Sequence, residues 1–453
     1  MVEARLTLPT GVRSDVSRIT ALAWPLILTN FAYVALTTLD IVFLSALGPA
    51  DLAAGGLALA LLGQLRAMGN GLVTGIGNLV AGDREDAAIS GLVSAGFLLS
   101  SLAAIPFIAL ALSLEKPLIW LGQDPAVAAR AVHFMVIAAL GLLPCMWFET
   151  LRHFTSGMKQ PGPLLAITLI SAVLSAVLNY AFALGGFGFP KLGLTGVALT
   201  TALVPLLSFL MLAFAAKRRP ALGRYLSFAA WRADRRVVLR IWRLGLPIAA
   251  TYGSEAGFFS ALTLLIGTLG VSALAAQTVV NQAVYIVFMV SSGISYAVSI
   301  YISEAISQAD FTRARRLSYT GLALGLLTMA VVAVPYLTMP NAIITLVMGT
   351  QTDLQPGTVE LAAGGLAIAA LLQVFDCSQS VANGSLRGAG DTASPFKLSL
   401  LGYWFLGLPA AYVLGIALRF GVYGVWSGLT LGLAATTVLL MVAFETRLER
   451  LES

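Results

Sequence analysis

Leu47–Ala54 reads LGPADLAA and Leu269–Ala276 reads LGVSALAA, one pattern displaced by 222 residues. The same displacement lays Pro25 on Pro247. Further along, LGLTGV (Leu192–Val197) meets FGVYGV (Phe420–Val425) at 228, so the second copy carries a small insertion. The 453-residue chain is therefore a duplication, and whatever one half forms the other forms again.

Working outward from the repeat, the chain is 58% hydrophobic and 11% charged, with mean hydropathy +0.89. A water-soluble domain carries roughly a quarter charged residues, so this chain cannot cover a surface facing water on all sides. Apolar runs of about 20 residues or more recur along it, each long enough for a ~30 Å hydrocarbon core. Inside lipid the backbone must satisfy its own hydrogen bonds. Long unbroken runs rich in Leu and Ala therefore predict helices rather than barrel strands. Twelve are expected, at 19–47, 51–81, 88–113, 127–156, 162–187, 193–217, 240–269, 272–307, 314–338, 357–388, 394–418 and 421–446. The expected fold is an all-α integral membrane protein with two pseudo-symmetric six-helix lobes around a central cleft. Its divisions are 1–217, a cytoplasmic linker at 218–239, and 240–453. An even number of helices per half preserves orientation, as in halves related by an axis along the membrane normal. Such a layout suits a transporter that rocks one bundle against the other, although some channels are also duplicated.

The polar, roughly eighteen-residue N-terminus does not look like a cleavable signal. Cys145 and Cys377 lie in apolar segments and read as buried thiols. The pI near 9.4 does not imply nucleic acid, because the basic residues are sorted by side. On one side lie 22 of the 27 Lys and Arg, including those near Arg84, Lys159, Arg313 and Arg387 and in Lys217–Arg236. The opposite side has Lys116, Arg130, Lys191 and Arg419, and Arg66 is mid-span. The excess of basic residues places both termini in the cytoplasm. Lys217–Arg236 reads as a topology-setting linker, with binding of anionic lipid headgroups the alternative.

Charges inside the membrane cost a few kcal/mol even on mild scales, at about 2.5–3.5 for Asp, Lys or Arg. Asp40 sits roughly 10 Å below the outer end of its helix, and Glu255 roughly 22 Å below the outer end of its own. Asp376 sits roughly 18 Å above the inner end of the tenth helix, so it shares the midplane with Glu255. Two carboxylates close together in low dielectric hold a proton or share a metal cation, which points to a site for Na⁺ or H⁺. The plainer alternative is structural, each acid pairing with a backbone group or with Arg66. Tyr33, seven residues before Asp40, suits an organic cation beside an acid or simply packs. The displacement of 222 sets Leu262 opposite Asp40 and Tyr33 opposite Glu255, so the two halves carry unlike constellations. Arg66 balances an acid or contacts an anionic or zwitterionic substrate. Glu149, Arg152 and His153, spaced i, i+3, i+4, read as a local ion pair. No glycine loop for ATP phosphates is present.

Several stretches resemble the multidrug and toxic compound extrusion (MATE) family, in its NorM-like branch. These are AWPLILTN with LTTLD (Ala23 to Asp40), LGPADLAA, DCSQSVANGSLRGAGDT (Asp376–Thr392) and YWFLGLPAAYVLG (Tyr403–Gly415). The resemblance covers nearly the whole chain and implies two six-helix lobes and cation-coupled export of organic, often cationic, drugs from the inner membrane. It assigns cation binding to Asp40, Asn179 and Thr201 in the amino lobe and to Glu255 and Asp376, as metal ligands, in the carboxy lobe. Tyr33 and Arg66 are the candidate substrate contacts. Ser175 replaces the Asn often found one turn before Asn179, and Arg66 stands where an apolar residue is expected. No resident cofactor is implied, only the coupling ion, Na⁺ or H⁺. The partners are small organic substrates and the lipid bilayer, and the chain reads as a monomer. The nearest rival is a flippase for a lipid-linked saccharide, which requires a strongly basic cleft. The rival of another class is a membrane-embedded enzyme, which requires acids or histidines gathered at one interface.

Overall fold

Each long apolar run becomes a helix in the computed structural model, which describes residues 10–83, 85–120, 122–226, 233–348 and 356–453. Arg84 and residues 227–232 of the expected linker lie outside the described residues. The amino half runs α1 (Thr10–Leu47), α2 (Pro49–Gly82), α3 (Asp86–Leu112), α4 (Glu115–Trp120), α5 (Pro125–Ala138), α6 (Leu142–Gly157), α7 (Gly162–Phe182) and α8 (Leu194–Lys217). After the short α9 (Pro220–Gly223) come α10 (Arg235–Gly267), α11 (Val271–Ser307), α12 (Phe311–Thr338), α13 (Pro340–Met348) and α14 (Pro356–Gly388). The chain ends in α15 (Ala393–Leu400), α16 (Leu408–Tyr412) and α17 (Gly421–Glu452). Among the described residues 11 helices are long and apolar enough to cross a membrane, counting continuous pairs such as 125–157 as one. The twelfth expected span is α10, an unbroken 33-residue helix whose first turns carry Arg235, Arg236, Arg240 and Arg243. The protein is a multi-pass, all-helical membrane protein.

The repeat shows in the backbone. Gly48 and Gly270 precede α2 and α11 with φ 117°, ψ 169° and φ 111°, ψ 171°. That region of backbone space is open to glycine almost alone, so the two copies of LG make the same turn for the same steric reason. The short helices α4 and α13, unforeseen from hydropathy, fall at matching places in the two halves.

Two compact units divide the chain: Leu28–Gly253, and the chain up to Ile27 with Ser254–Ser453. The boundaries therefore fall inside α1 and α10. In the Leu28–Gly253 unit, Leu44 of α1, Ala54, Ala58 and Leu62 of α2, Phe134 and Met135 of α5 and Val197 of α8 share one buried cluster. In the other unit Phe258 and Leu262 of α10 pack with Val280 of α11, Leu366 of α14 and Trp426 of α17. Small and hydroxyl side chains bring helices close where lipid supplies no hydrophobic drive. Ser295 of α11 donates to the Ser380 carbonyl of α14, and Ser318 of α12 meets Ser385 of α14 at 2.8 Å.

One expected helix, 127–156, is interrupted. A 3-10 turn at Ala139–Gly141 separates α5 from α6. Pro144, in the first turn of α6, has no N–H to give to the preceding turn, so α-bonding lapses there. The span between Ala393 and Ala417 likewise alternates with π-helical stretches at Leu401–Gly407 and Val413–Ala417, on either side of Pro409.

Candidate functional site

The Leu28–Gly253 unit has a cavity lined by Tyr33, Asp40, Arg66, Glu149, Ser175 and Thr201 among others. Asp40 projects from α1 and is only 3% exposed. Ser175 and Asn179 are four residues apart on α7, hence on one face, and both point at Asp40 Oδ1. Asn179 Nδ2 donates to it at 2.9 Å and Ser175 Oγ at 3.3 Å. Asn179 Nδ2 also reaches Ser175 Oγ at 3.3 Å, which ties the pair together. Thr201 of α8 and Arg66 of α2 complete the polar surroundings of the carboxylate. A hydrogen bond to a charged group contributes about 1.5–3 kcal/mol, so the two donors offset part of the cost of holding a charged Asp40 out of water.

Arg66 enters the cavity from α2. Nη2 donates to the Thr201 carbonyl at 3.2 Å, while Nε is buried and makes no hydrogen bond among the described residues. Tyr33, Cys145 and Asp40 are the groups that feel its charge most. Tyr33 lines the same cavity, as does Glu149.

Glu149 begins a polar chain that extends beyond the local pair expected from spacing. Arg152 Nη1 lies 3.2 Å from Glu149 Oε2, and its Nη2 donates at 2.7 Å to Asn30 Oδ1 on α1. His153 Nε2 contacts Asn70 Oδ1 of α2 at 2.6 Å and stands 3.8 Å from Glu149 Oε2. The ion pair thus pins α6 to α1 and α2. Its long-range partners have no signature in local sequence.

The unit holding Ser254–Ser453 is built differently. Glu255 of α10 and Asp376 of α14 are electrostatic neighbours. The Tyr403 hydroxyl donates to Glu255 Oε1 at 3.3 Å and receives Gln379 Nε2. The Tyr403 ring stacks on Phe258 at 5.1 Å with 16° between planes, which fixes the hydroxyl's position. Asp376 Oδ2 is buried and makes no hydrogen bond among the described residues. Trp404 Nε1, donating to Ser254 Oγ at 2.9 Å, secures α10 beside this group.

The structure therefore brings Asp40, Thr201, Tyr33 and Arg66 onto one cavity with Asn179 donating to Asp40, and Glu255 with Asp376 in the other unit. Ser175, a departure from the family pattern, nevertheless donates to Asp40. Sequence reasoning missed Tyr403 as the partner of Glu255 and Gln379 as the partner of Tyr403, although both lie in the stretches that carry the resemblance. Cys145 and Cys377 are free and buried. Among the described residues no group of three or more His, Cys, Asp or Glu is placed to hold a metal ion. A cation there would find carboxylate oxygens in Glu255 and the unpartnered Asp376 Oδ2, and would draw its remaining ligands from neutral oxygens, of which the Tyr403 hydroxyl is the nearest to Glu255 among the described residues.

Comparison with known proteins matches the MatE family model to residues 25–181 and again to 247–413, and the two matches start 222 residues apart, as the internal repeat does. A probable multidrug resistance protein NorM of Pseudomonas aeruginosa is 37% identical over 441 residues, covering 96% of this chain and 90% of the relative. A protein of the same description from Pseudomonas syringae is 35% identical, covering 95% and 94%. A crystal structure of a MATE protein in complex with MaL6 superposes with TM-score 0.88 at 17% identity, covering 98% of this chain and 100% of that one. That likeness concerns the fold.

Proposed function

Because this chain belongs to the MATE family of transporters, we propose that it is an antiporter that exports organic, often cationic, compounds by alternating access, driven by inward flow of Na⁺ or H⁺. The relatives named as multidrug resistance proteins support export of drugs or toxic compounds. The sorting of basic residues and the bacterial relatives support an inner-membrane location with both termini cytoplasmic. The chain is a transporter rather than an enzyme, and we assign its function to the single chain.

The observation that carries the coupling is the pairing of Glu255 with Asp376. Two half-buried acids beside each other, one with a buried oxygen lacking any donor, form a group whose charge depends on what it binds. A proton or a Na⁺ there removes the repulsion. Asp40 with Asn179, Ser175 and Thr201 forms a second candidate cation site. A coupling ion acts only through unequal affinity for two states, so each site must change its ligands as the protein alternates. The lobes at 1–217 and 240–453 are the moving bodies in this reading.

The test is efflux of a fluorescent organic cation from proteoliposomes under Na⁺ and H⁺ gradients imposed one at a time. Efflux that follows one gradient, and ceases when it is collapsed, supports the reading. Efflux indifferent to both gradients overturns it.

A further inference from the structure

We propose that the first turns of α10 form a docking face for an anionic phospholipid, its phosphodiester held by Arg236, Arg240 and Arg243 and its acyl chains lying on Leu239, Trp242 and Leu246. This goes beyond the export reading and does not depend on it.

α10 opens as RRVVLRIWRLGL, Arg235 to Leu246. The spacing i, i+4, i+7 sets Arg236, Arg240 and Arg243 on one face of the helix, over about 10 Å of its length at 1.5 Å per residue. Leu239, Trp242 and Leu246, spaced i, i+3, i+7, form a second strip beside them. The three arginines are exposed. The apolar strip is exposed too, at 42%, 38% and 45%. The opposite face explains why this one is left open. Gly245 lies so close to α2 that a Cβ there would collide with the Leu72 carbonyl, and Ile241, Ile248 and Ala249 are buried. That packing turns the arginines and the apolar strip outward together.

Arginines elsewhere are already spent on acids of this chain. Arg224 reaches Asp86 at 3.5 Å, Arg313 reaches Glu304 at 3.5 Å and Arg316 reaches Asp15 at 2.6 Å. Among the described residues Arg236, Arg240 and Arg243 form no ion pair. Asp234, the nearest acid in sequence, accepts the Arg236 backbone N–H at 2.8 Å. Setting topology needs positive charge near one surface, but neither a common helix face nor an apolar strip beside it. A guanidinium fork matches the oxygens of a phosphodiester. Tryptophan rings settle at headgroup level, and arginine stems cover apolar surface while their charged ends stay wet. Leu246 continues past Arg243, so charge precedes apolar surface in the order in which a lipid presents headgroup and chains. A soluble anion would use the arginines and leave the strip bare.

Fluorescent phosphatidylglycerol and phosphatidylethanolamine with identical acyl chains are the probes. Each is titrated into the purified full chain in neutral detergent and followed by polarisation. Wild type is expected to bind phosphatidylglycerol at least tenfold more tightly than phosphatidylethanolamine. Arg240→Gln alone should weaken phosphatidylglycerol by about fivefold, the worth of one basic residue at an anionic surface. Combining it with Arg236→Gln and Arg243→Gln should abolish the preference. Arg218→Gln with Arg219→Gln, which removes charge from the neighbouring exposed segment, should leave the preference within about twofold of wild type. Equal binding of the two lipids by wild type overturns the proposal without need of any variant. So does an equal loss in the α10 variants and in Arg218→Gln with Arg219→Gln, which would mark net charge rather than a docking face. Displacement of phosphatidylglycerol by millimolar inorganic phosphate, but not by sodium chloride of equal ionic strength, also overturns it, in favour of a site for soluble anions.

Discussion

The two halves share a backbone plan yet place their acids in opposite circumstances. Asp40 is 3% exposed, receives two side-chain donors from α7 and has a guanidinium nearby. Glu255 has a second carboxylate as its neighbour, one tyrosine hydroxyl at 3.3 Å, and Asp376 beside it with an oxygen that receives nothing. Its counterpart position to Asp40 is Leu262, 1% exposed within an apolar cluster. Duplication therefore preserved what steric and apolar packing require and left the charged groups free to diverge. The amino-half acid has two donors from its own chain, whereas the carboxy-half pair has one tyrosine donor and an oxygen that receives none. That difference is open to direct attack.

The largest effects belong to the acids themselves. Asp376→Asn and Asp40→Asn are each expected to reduce gradient-driven efflux to the level of empty vesicles while the protein still elutes as a folded species. Wild-type efflux by both variants would remove the acids from the mechanism, and loss in one alone would assign coupling to that half. The same pair should split in thermal stability, measured in detergent in buffer free of Na⁺. At alkaline pH, where the pair no longer holds a proton, Asp376→Asn removes a like charge from beside Glu255 and should stabilise. Asp40→Asn removes the acceptor shared by Asn179 and Ser175 and the opposite charge near Arg66, and should destabilise. Shifts of the same sign would show that the two environments differ less than their geometry indicates.

Next comes the donor that most distinguishes the amino half. Asn179→Leu takes away the 2.9 Å donation and leaves Asp40 with Ser175 at 3.3 Å. The expected loss of stability is about 1.5–3 kcal/mol, the worth of a hydrogen bond to a charged group. In the background of Asp40→Asn the same substitution should cost less than half as much, because there is then no charge to serve. Equal costs in the two backgrounds would mean that Asn179 supports packing rather than the acid.

How much of this was legible without coordinates follows from the physics of each feature. The spans were readable because bilayer thickness dictates apolar length, and α11, expected at 272–307, runs Val271–Ser307. Even α10 was readable, since its arginines fall in the first turns and its apolar part follows Pro247. The break at Ala139–Gly141 was signalled only by Pro144, and a proline within an apolar run elsewhere, as at Pro25, leaves α1 continuous. The grouping of Asp40 with Asn179 came from family resemblance, because 139 residues separate them. Arg66 was visible as an anomaly, but depth along a helix says nothing of which way a side chain turns. Its carbonyl partner on α8 needed the packed structure.

A smaller effect tests the sameness of the halves rather than their difference. Gly48→Ala and Gly270→Ala place a Cβ on a backbone at φ 117° and 111°. No neighbouring atom lies within 4 Å of either added carbon, so the cost is conformational strain rather than collision. Each substitution is expected to destabilise by about 1–3 kcal/mol, and by matching amounts. A clear inequality would show that one half tolerates rearrangement at the start of its second helix.

The smallest effect concerns Asp51, which follows Gly48 in the same repeated stretch. Arg130 Nη1 lies 3.2 Å from Asp51 Oδ1, with side chains 55% and 25% exposed, and this joins the first turn of α2 to α5. The carboxy half has Ala273 at the equivalent place, 5% exposed and packed in an apolar cluster, and still forms the matching turn and helix. An ion pair that one copy of the motif does without is not what holds the motif together. Arg130→Ala should therefore lower stability by less than about 1 kcal/mol, the usual ceiling for exposed pairs, and the loss should shrink further in high salt. A larger, salt-insensitive loss would mean that the aliphatic stem of Arg130 supplies packing that the carboxy half obtains from Ala273 and its neighbours, and the two turns would then be alike in backbone but not in support.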